Sequence, residues 1–286
     1  MARIPESELI LNKDGSVYHL NLKPSHISDT IITVGDPSRV YMVSEHFDDV
    51  DFEMNRREFI THSGTLRGKR LTVMSTGMGT DNVEIFMTEL DALANVDLKK
   101  RDIKAKKRRL KIIRVGTSGA MQEDIPLGTH LVSDYAVGLD TLMCFYDLPQ
   151  DAFEEGVAAR LQEETNLPFR PYVVRGSQEL LDKVGHDMVR GNTITCPGFY
   201  APQGREIRAT LKNKRLLESL NYFHEDGFWL TNFEMETAGY YAMGRLLDHE
   251  VLSVNAIIAN RIHQTFAKDP NKVISSLIKT VLDRVV

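Results

Sequence analysis

Three arginines stand where an arginine needs a chemical reason. Arg114 lies inside the apolar run Lys111-Ile112-Ile113-Arg114-Val115, where an unpaired guanidinium would be costly. It requires an anionic partner, either a carboxylate of the fold or the phosphate of a ligand. The small, hydroxyl-bearing stretch Gly116-Thr117-Ser118-Gly119 that follows suits a phosphate. Arg39 closes the sequence Gly35-Asp36-Pro37-Ser38-Arg39. A strand ending in glycine lets backbone N–H groups approach an oxyanion, and an arginine one turn later can fork onto phosphate oxygens. The same five residues also suit a plain turn with a surface arginine. Arg205 ends the segment Thr195-Cys196-Pro197-Gly198-Phe199-Tyr200-Ala201-Pro202-Gln203-Gly204-Arg205. That segment offers a planar heterocycle an aromatic to rest on, an amide that both donates and accepts, and a guanidinium that only donates. Its alternative is an irregular loop whose aromatics fill a gap in the core.

Two further segments carry polar groups in unusual places. Asn232-Phe233-Glu234-Met235-Glu236 sets two acids around a methionine ahead of a helix of small and apolar residues. A carboxylate there can accept from two sugar hydroxyls, or Glu236 can cap the helix. Gly77-Met78-Gly79 looks like part of a dinucleotide fingerprint, but Asn82 takes the third glycine position and no acid follows at a suitable distance. A nicotinamide cofactor is therefore not expected.

The elements that must position these groups follow from hydrophobic periodicity. Thr30–Val34 predicts a strand stopped by Gly35-Asp36-Pro37. Leu71–Met74 predicts a strand feeding the loop 75–80. Val83, Phe86, Met87, Leu90 and Ala94 recur at helical spacing, with Thr80 or Asp81 as N-cap. Ile112–Val115 predicts a buried strand ending at Gly116–Gly119. Met235, Gly239, Ala242, Met243 and Leu246 mark a helix face, Val251–Ala259 a buried strand, and Ile274, Leu277, Ile278, Val281 and Val285 a closing helix. Alternation of this kind predicts an α/β fold. The candidate segments all fall after predicted strand ends, where ligands of such folds gather.

Composition narrows the class. With 286 residues, 42% hydrophobic and 26% charged, the chain is an ordinary globular one, and it shows neither a repeat nor a domain linker. A single domain over 1–286 is expected, with 1–16 as an N-terminal extension. Lys+Arg 35 against Asp+Glu 40 gives a net charge of -5, which argues against general nucleic-acid or polybasic membrane binding. Lys99–Lys111 holds nine Lys or Arg in 13 residues without an aromatic; it is expected to be a basic, solvated surface insertion between helix and strand. No apolar run is long enough to cross a bilayer. The start lacks the layout of a signal peptide. Two cysteines, Cys144 and Cys196, are too few for a disulfide framework or a cysteine zinc site. A reducing cytoplasm is the expected setting.

Taken in order, these motifs resemble the nucleoside phosphorylase family, and within it the uridine phosphorylase branch. The resemblance runs from about Val17 to Ala259 and beyond. It implies a single α/β domain around a mixed, distorted sheet. It also implies homodimers that complete each other's active sites, with further assembly left open. The implied reaction is reversible phosphorolysis of uridine to uracil and ribose 1-phosphate, with inorganic phosphate as co-substrate and no cofactor. Phosphate would be held by Gly35, Arg39, Arg114 and Thr117, with Arg57 of Asn55-Arg56-Arg57-Glu58-Phe59 supplied by the neighbouring subunit. The ribose would rest on Glu234, Met235 and Glu236 with Met78 and Thr117 nearby, and His19 of Val17-Tyr18-His19-Leu20 would come from the partner. Phe199, Gln203, Arg205 and Arg261 match the uracil site. Arg114, Gln203 and Arg205 are the catalytic candidates.

Relatives that act on purines carry an acid after the last strand that protonates the base, and Ile258-Ala259-Asn260-Arg261 has none. Asn82 stands where some members place a serine near a monovalent cation, a site that Glu58 and Met78 otherwise resemble, so a cation requirement stays open. Two alternatives keep the same site. One is a phosphorylase of another nucleoside or deoxynucleoside, and the other a non-catalytic nucleoside sensor.

Overall fold

The computed structural model describes residues 3–286. Of the expected extension 1–16, Met1 and Ala2 lie outside the described residues. The rest is folded onto the protein: the Asn12 amide donates to Ser16 and to the Val17 carbonyl.

Eleven strands form the main sheet. In chain order they are β1 (Thr30–Val34), β2 (Asp49–Arg56), β3 (Phe59–Leu66), β4 (Lys69–Ser75), β5 (Lys111–Ala120), β6 (His130–Gly138), β7 (Tyr172–Arg175), β8 (Val189–Thr195), β9 (Asn232–Glu234), β10 (Glu250–Asn260) and β11 (Thr265–Phe266). Among the described residues the α-helices are α1 (Ser38–Ser44), α2 (Thr80–Asn95), α3 (Ala152–Thr165), α4 (Gln178–Val184), α5 (Leu216–Tyr222), α6 (Thr237–Leu246) and α7 (Pro270–Val285). This is the mixed α/β architecture expected from the sequence.

The sheet is distorted because it partly closes on itself. β5 pairs with β9, β9 with β8, β8 with β6, β6 with β10, and β10 returns to β5. From β5 an arm runs through β1, β4 and β3 to β2, an edge strand whose solvent side carries Asp49, Asp51 and Glu53. The parallel pairs β1–β4, β1–β5 and β5–β10 bring the C-terminal ends of their strands to one side. The candidate loops after β1, β4 and β10 begin there, whereas β9 runs antiparallel to β5 and β8 runs parallel to β9.

Helices cover the sheet by the apolar faces the sequence marks. The α2 and α6 faces, including Phe86, Leu90, Tyr240 and Met243, pack on one side. The stripe Ile274, Leu277, Ile278 and Val281 of α7 packs with α1 and α4 on the other. The α3 and α5 segment closes a third cluster around Phe223, Phe228 and Leu230.

Three boundaries differ from expectation, each for a visible reason. β5 does not end at Val115 but continues through Gly116–Gly119, because β10 runs beside it from Lys111 to Ala120 and holds the small residues in the ladder. α6 begins at Thr237, so Met235 precedes the helix. The N-cap of α2 is Gly79, at φ +96°, rather than Thr80 or Asp81. A side chain is disfavoured at that angle, and the Gly79 N–H donates to Glu236 instead.

The basic stretch 99–111 does link helix to strand, but it is docked rather than simply solvated. Arg101 is buried and donates to the Leu9 carbonyl at 2.7 Å, Lys104 donates to the Ala94 carbonyl, and Arg108 and Arg109 pair with Asp29 and Glu250. Among the described residues no helix is long and apolar enough to cross a membrane.

Because Leu277 is wholly buried between α7 and the sheet, Leu277→Ala should cost about 2–5 kcal/mol. A urea titration should show the midpoint falling with the slope unchanged.

Candidate active site

The strand ends enclose a cavity of about 950 Å³. Its wall includes Gly35, Arg39, Met78, Arg114, Thr117, Phe199, Gln203, Arg205, Glu234, Met235, Glu236 and Arg261. Residues from six separate stretches of chain thus meet in one place, as their types suggested. Two candidates do not reach it. Arg57 sits at the exposed tip of the β2–β3 hairpin, at φ +55°, and His19 lies in the 12–21 loop against α2. That loop touches β2 through Asn21 and Met54, so both outlying residues belong to the same arm of the molecule.

Arg114 organises the floor. Its Nη2 meets the Glu236 carboxylate at 2.5 Å and that of Glu234 at 2.8 Å. Its Nη1 donates to Asn255 Oδ1 at 3.1 Å and Ser253 Oγ at 3.3 Å. The two carboxylates together outweigh burial and raise the Arg114 pKa, so its charge is permanent. The side chain can bend back along its own strand only because residue 116 is glycine: a Cβ there would lie 2.0 Å from Arg114 Nη1. Ser253 and Asn255 were not among the candidates. Their signal was available, since they are polar residues two apart, hence on one face, in the apolar strand β10.

Glu234 and Glu236 divide the work that the sequence left undecided. Glu234 accepts from Thr195 Oγ1 at 2.7 Å, from the Glu236 N–H at 2.9 Å and from the Thr237 N–H at 3.0 Å. It satisfies the free N–H groups at the start of α6, the capping role that Glu236 offered by position. Glu236 spends one oxygen on Arg114 and the other on the Gly79 N–H at 2.8 Å. Burial raises the Glu236 pKa and Arg114 opposes the rise.

The remaining guanidiniums are different: among the described residues neither Arg39, Arg205 nor Arg261 is ion-paired. Burial lowers the pKa of all three, with Asp36 partly offsetting it at Arg39; Arg205, pressed further by neighbouring Arg261, falls to about 10. They remain cationic at neutral pH. Arg39 lies close enough to Arg114 and Glu236 to feel both charges. Arg205 stacks on the Phe199 ring at 3.8 Å and donates to Gln203 Oε1 at 2.6 Å, while Arg261 donates to the Gln203 carbonyl at 3.0 Å. The Gln203 amide is thereby oriented, with its NH₂ left uncommitted. A bulge at Ile258 breaks the β10 register at this end and, with the 261–264 turn into β11, brings Ile258, Gln264 and Phe266 into the wall; these were not among the candidate site residues.

The wall therefore offers cationic donors in two groups, one beside paired carboxylates and one beside an aromatic and an amide. By charge and shape such a wall suits an anion beside a planar ligand with polar edges. Glu58 and Asn82 both flank Gly77, whose Cβ position is 2.7 Å from Asn82 Nδ2 and 3.1 Å from Glu58 Cγ.

Residues 29–284 match the family model described as the phosphorylase superfamily. The chain belongs to that superfamily. Two phosphorylase relatives resemble it along most of their length. A uridine phosphorylase of Thermococcus kodakarensis is 27% identical, with 91% of this chain and 83% of that one aligned. A DeoD-type purine nucleoside phosphorylase of Streptococcus suis is 25% identical over 94% of this chain and 98% of its own. Among solved structures, a Trypanosoma brucei nucleoside phosphorylase that shows uridine phosphorylase activity superposes with a TM-score of 0.88 at 26% identity, covering 96% of this chain and 98% of that one. The fold of this phosphorylase is thus that of a known nucleoside-processing enzyme.

Removing the Glu234 carboxylate would strand part of the Arg114 charge and the Thr195, Glu236 and Thr237 donors together. Glu234→Ala should therefore lower stability by about 3–5 kcal/mol, measured by urea unfolding. A loss below 1 kcal/mol, the scale of an exposed pair, would show the cluster to be loosely held.

Proposed function

We propose that this protein is a uridine phosphorylase, converting uridine and phosphate reversibly to uracil and ribose 1-phosphate. The observation that carries the reading is the set of unpaired guanidiniums sharing one cavity with the Glu236 carboxylate and with the Phe199–Gln203–Arg205 loop. Phosphate is assigned to Gly35, Arg39, Arg114 and Thr117. The ribose is assigned to Met235 and Glu236, with Met78 and Thr117 beside them, and Glu234 holds Glu236 and Arg114 in place from below. Uracil is assigned to Phe199, Gln203, Arg205 and Arg261.

The chemistry follows from charge. Breaking the N-glycosidic bond develops positive charge on the sugar and negative charge on the departing base. Arg39 and Arg114 fix a phosphate oxygen near the anomeric carbon, converting an encounter into a positioned attack. The ionised phosphate and the carboxylate of Glu236 favour the cationic sugar. The Gln203 NH₂ and the Arg205 and Arg261 guanidiniums donate to the uracil oxygens as they take up charge. Uracil leaves as an anion, so no general acid is assigned. A purine would need one, and 258–261 supplies none.

Arg57 and His19 lie on one arm, away from their own cavity, and we assign both to the site of a second copy in a homodimer. The single domain, placed in the cytoplasm, uses Cys144 and Cys196 as free thiols.

The first test is absorbance-monitored cleavage of uridine with and without phosphate, beside inosine, adenosine and thymidine. Phosphate-dependent loss of uridine supports the reading. Turnover without phosphate, turnover of purines alone, or uridine binding without turnover would each replace it. Gln203→Ala should lower kcat by about 10²-fold or more with little change in the phosphate KM, and the reverse pattern removes Gln203 from the base. The shared site has its own test. Arg39→Ala and Arg57→Ala should each be impaired, and mixing the two after reversible dissociation should restore about a quarter of wild-type activity, because half the dimers then hold one intact site. No recovery on mixing would confine Arg57 to its own subunit.

A further inference from the structure

His19 enters the proposed mechanism, but the acid beneath it does not. Glu89 sits in the middle of α2, on a face that otherwise buries Phe86, Met87, Leu90 and Leu93. It is only 7% exposed, and a carboxylate without partners would not be tolerated there. Its partners all come from residues 19 and 20. The His19 N–H donates to its two oxygens at 2.9 and 3.0 Å, the Leu20 N–H at 2.8 Å, and the His19 ring meets it through Nδ1 at 2.7 Å.

An ionised carboxylate offers lone pairs only, so Nδ1 must carry the hydrogen of this last bond. The neutral ring then keeps its lone pair on Nε2, which has no partner in its own chain among the described residues, on a side chain that is 29% exposed.

We propose that Glu89 is a positioning residue for the shared active site: it holds His19 as the Nδ1–H tautomer and presents Nε2 outward to accept a hydrogen bond from a hydroxyl of the sugar bound by the partner subunit. This rests on the reading in which His19 serves that sugar. Two features make the arrangement specific. The backbone N–H groups of His19 and Leu20 cannot reverse their polarity, so they demand oxygen from residue 89 and fix the carboxylate before the ring meets it. The fixed carboxylate then leaves the ring one orientation and one tautomer. A tether for the 12–21 loop alone would need only the backbone bonds.

Glu89→Gln separates the two roles. Its single oxygen goes to the backbone donors, its NH₂ then faces Nδ1, and the ring must switch to the Nε2–H tautomer. A hydroxyl that donates to Nε2 in the wild type would meet a hydrogen there.

The experiment is ¹⁵N NMR of imidazole-labelled protein at alkaline pH, where the ring is neutral, with His19→Ala giving the assignment. It is combined with uridine phosphorolysis kinetics of Glu89→Gln, His19→Ala and the double variant, each checked for a native thermal transition. Wild-type His19 should be the Nδ1–H tautomer and Glu89→Gln should convert it to Nε2–H. Each single variant should lose about three- to tenfold in kcat/KM, and the double variant should fall no further than His19→Ala. An Nε2–H tautomer in the wild type overturns the proposal without any variant. So does an unchanged tautomer in Glu89→Gln, or additive losses in the double variant, while His19→Ala is impaired. Wild-type kinetics in His19→Ala would instead overturn the shared-site reading beneath it.

Discussion

The structure depends on one buried charge. Arg114 lies inside the sheet, and everything that makes it tolerable there also makes the cavity. Glu234 and Glu236 neutralise it from the β9–α6 junction, Ser253 and Asn255 complete its hydrogen bonds from β10, and Gly116 clears its path along β5. These groups come from chain segments up to 141 residues apart, so the guanidinium ties together strands that no local interaction would hold. Glu236 carries the tie outward to the Gly79 N–H at the start of α2. The loop that borders the cavity is therefore anchored to its floor. A hydrophobic residue in place of Arg114 alone would leave two buried carboxylates uncompensated, and it would remove the reason for this convergence.

Charge is distributed unevenly around that centre. The floor is ion-paired, whereas among the described residues Arg39, Arg205 and Arg261 are partly buried without ion pairs. Holding partly desolvated cations near one another costs free energy, which an electron-rich ligand of the kind proposed above would offset. The same logic explains why Arg205 rests on the electron-rich face of the Phe199 ring, with the Phe233 ring 5.9 Å away.

Much of this was legible in the sequence because local chemistry and local structure agreed. Arg114 in an apolar run signalled a buried anionic partner, and the amphipathic pattern from Ile274 to Val285 is the buried face of α7. What the sequence left open was the choice between partners that only the tertiary fold brings near. Glu234 and Glu236 are equally acidic and two residues apart, and only the direction of the α6 N-terminus decides which one caps it. The continuation of β5 through Gly116–Gly119 was hidden for a related reason. Glycine, threonine and serine favour turns locally, and pairing with β10 overrides them. Arg57 and His19 were recognised only by resemblance, since nothing in their neighbours in sequence indicates that they would face away from the cavity.

The partial closure of the sheet has a consequence for solubility. Strands that pair on both sides expose no backbone to a stranger, so the ring formed by β5, β9, β8, β6 and β10 offers no template for adding further strands. Open edges remain at the short strands β7 and β11 and at the longer β2, the outermost strand of the arm. Asp49, Asp51 and Glu53 recur there at every second residue. A second copy approaching edge to edge would bring like charges together before any backbone hydrogen bond could form. The acids of β2 thus act as a guard against fibrous or amorphous aggregation. They disfavour the β2 edge as a route by which copies of this chain associate.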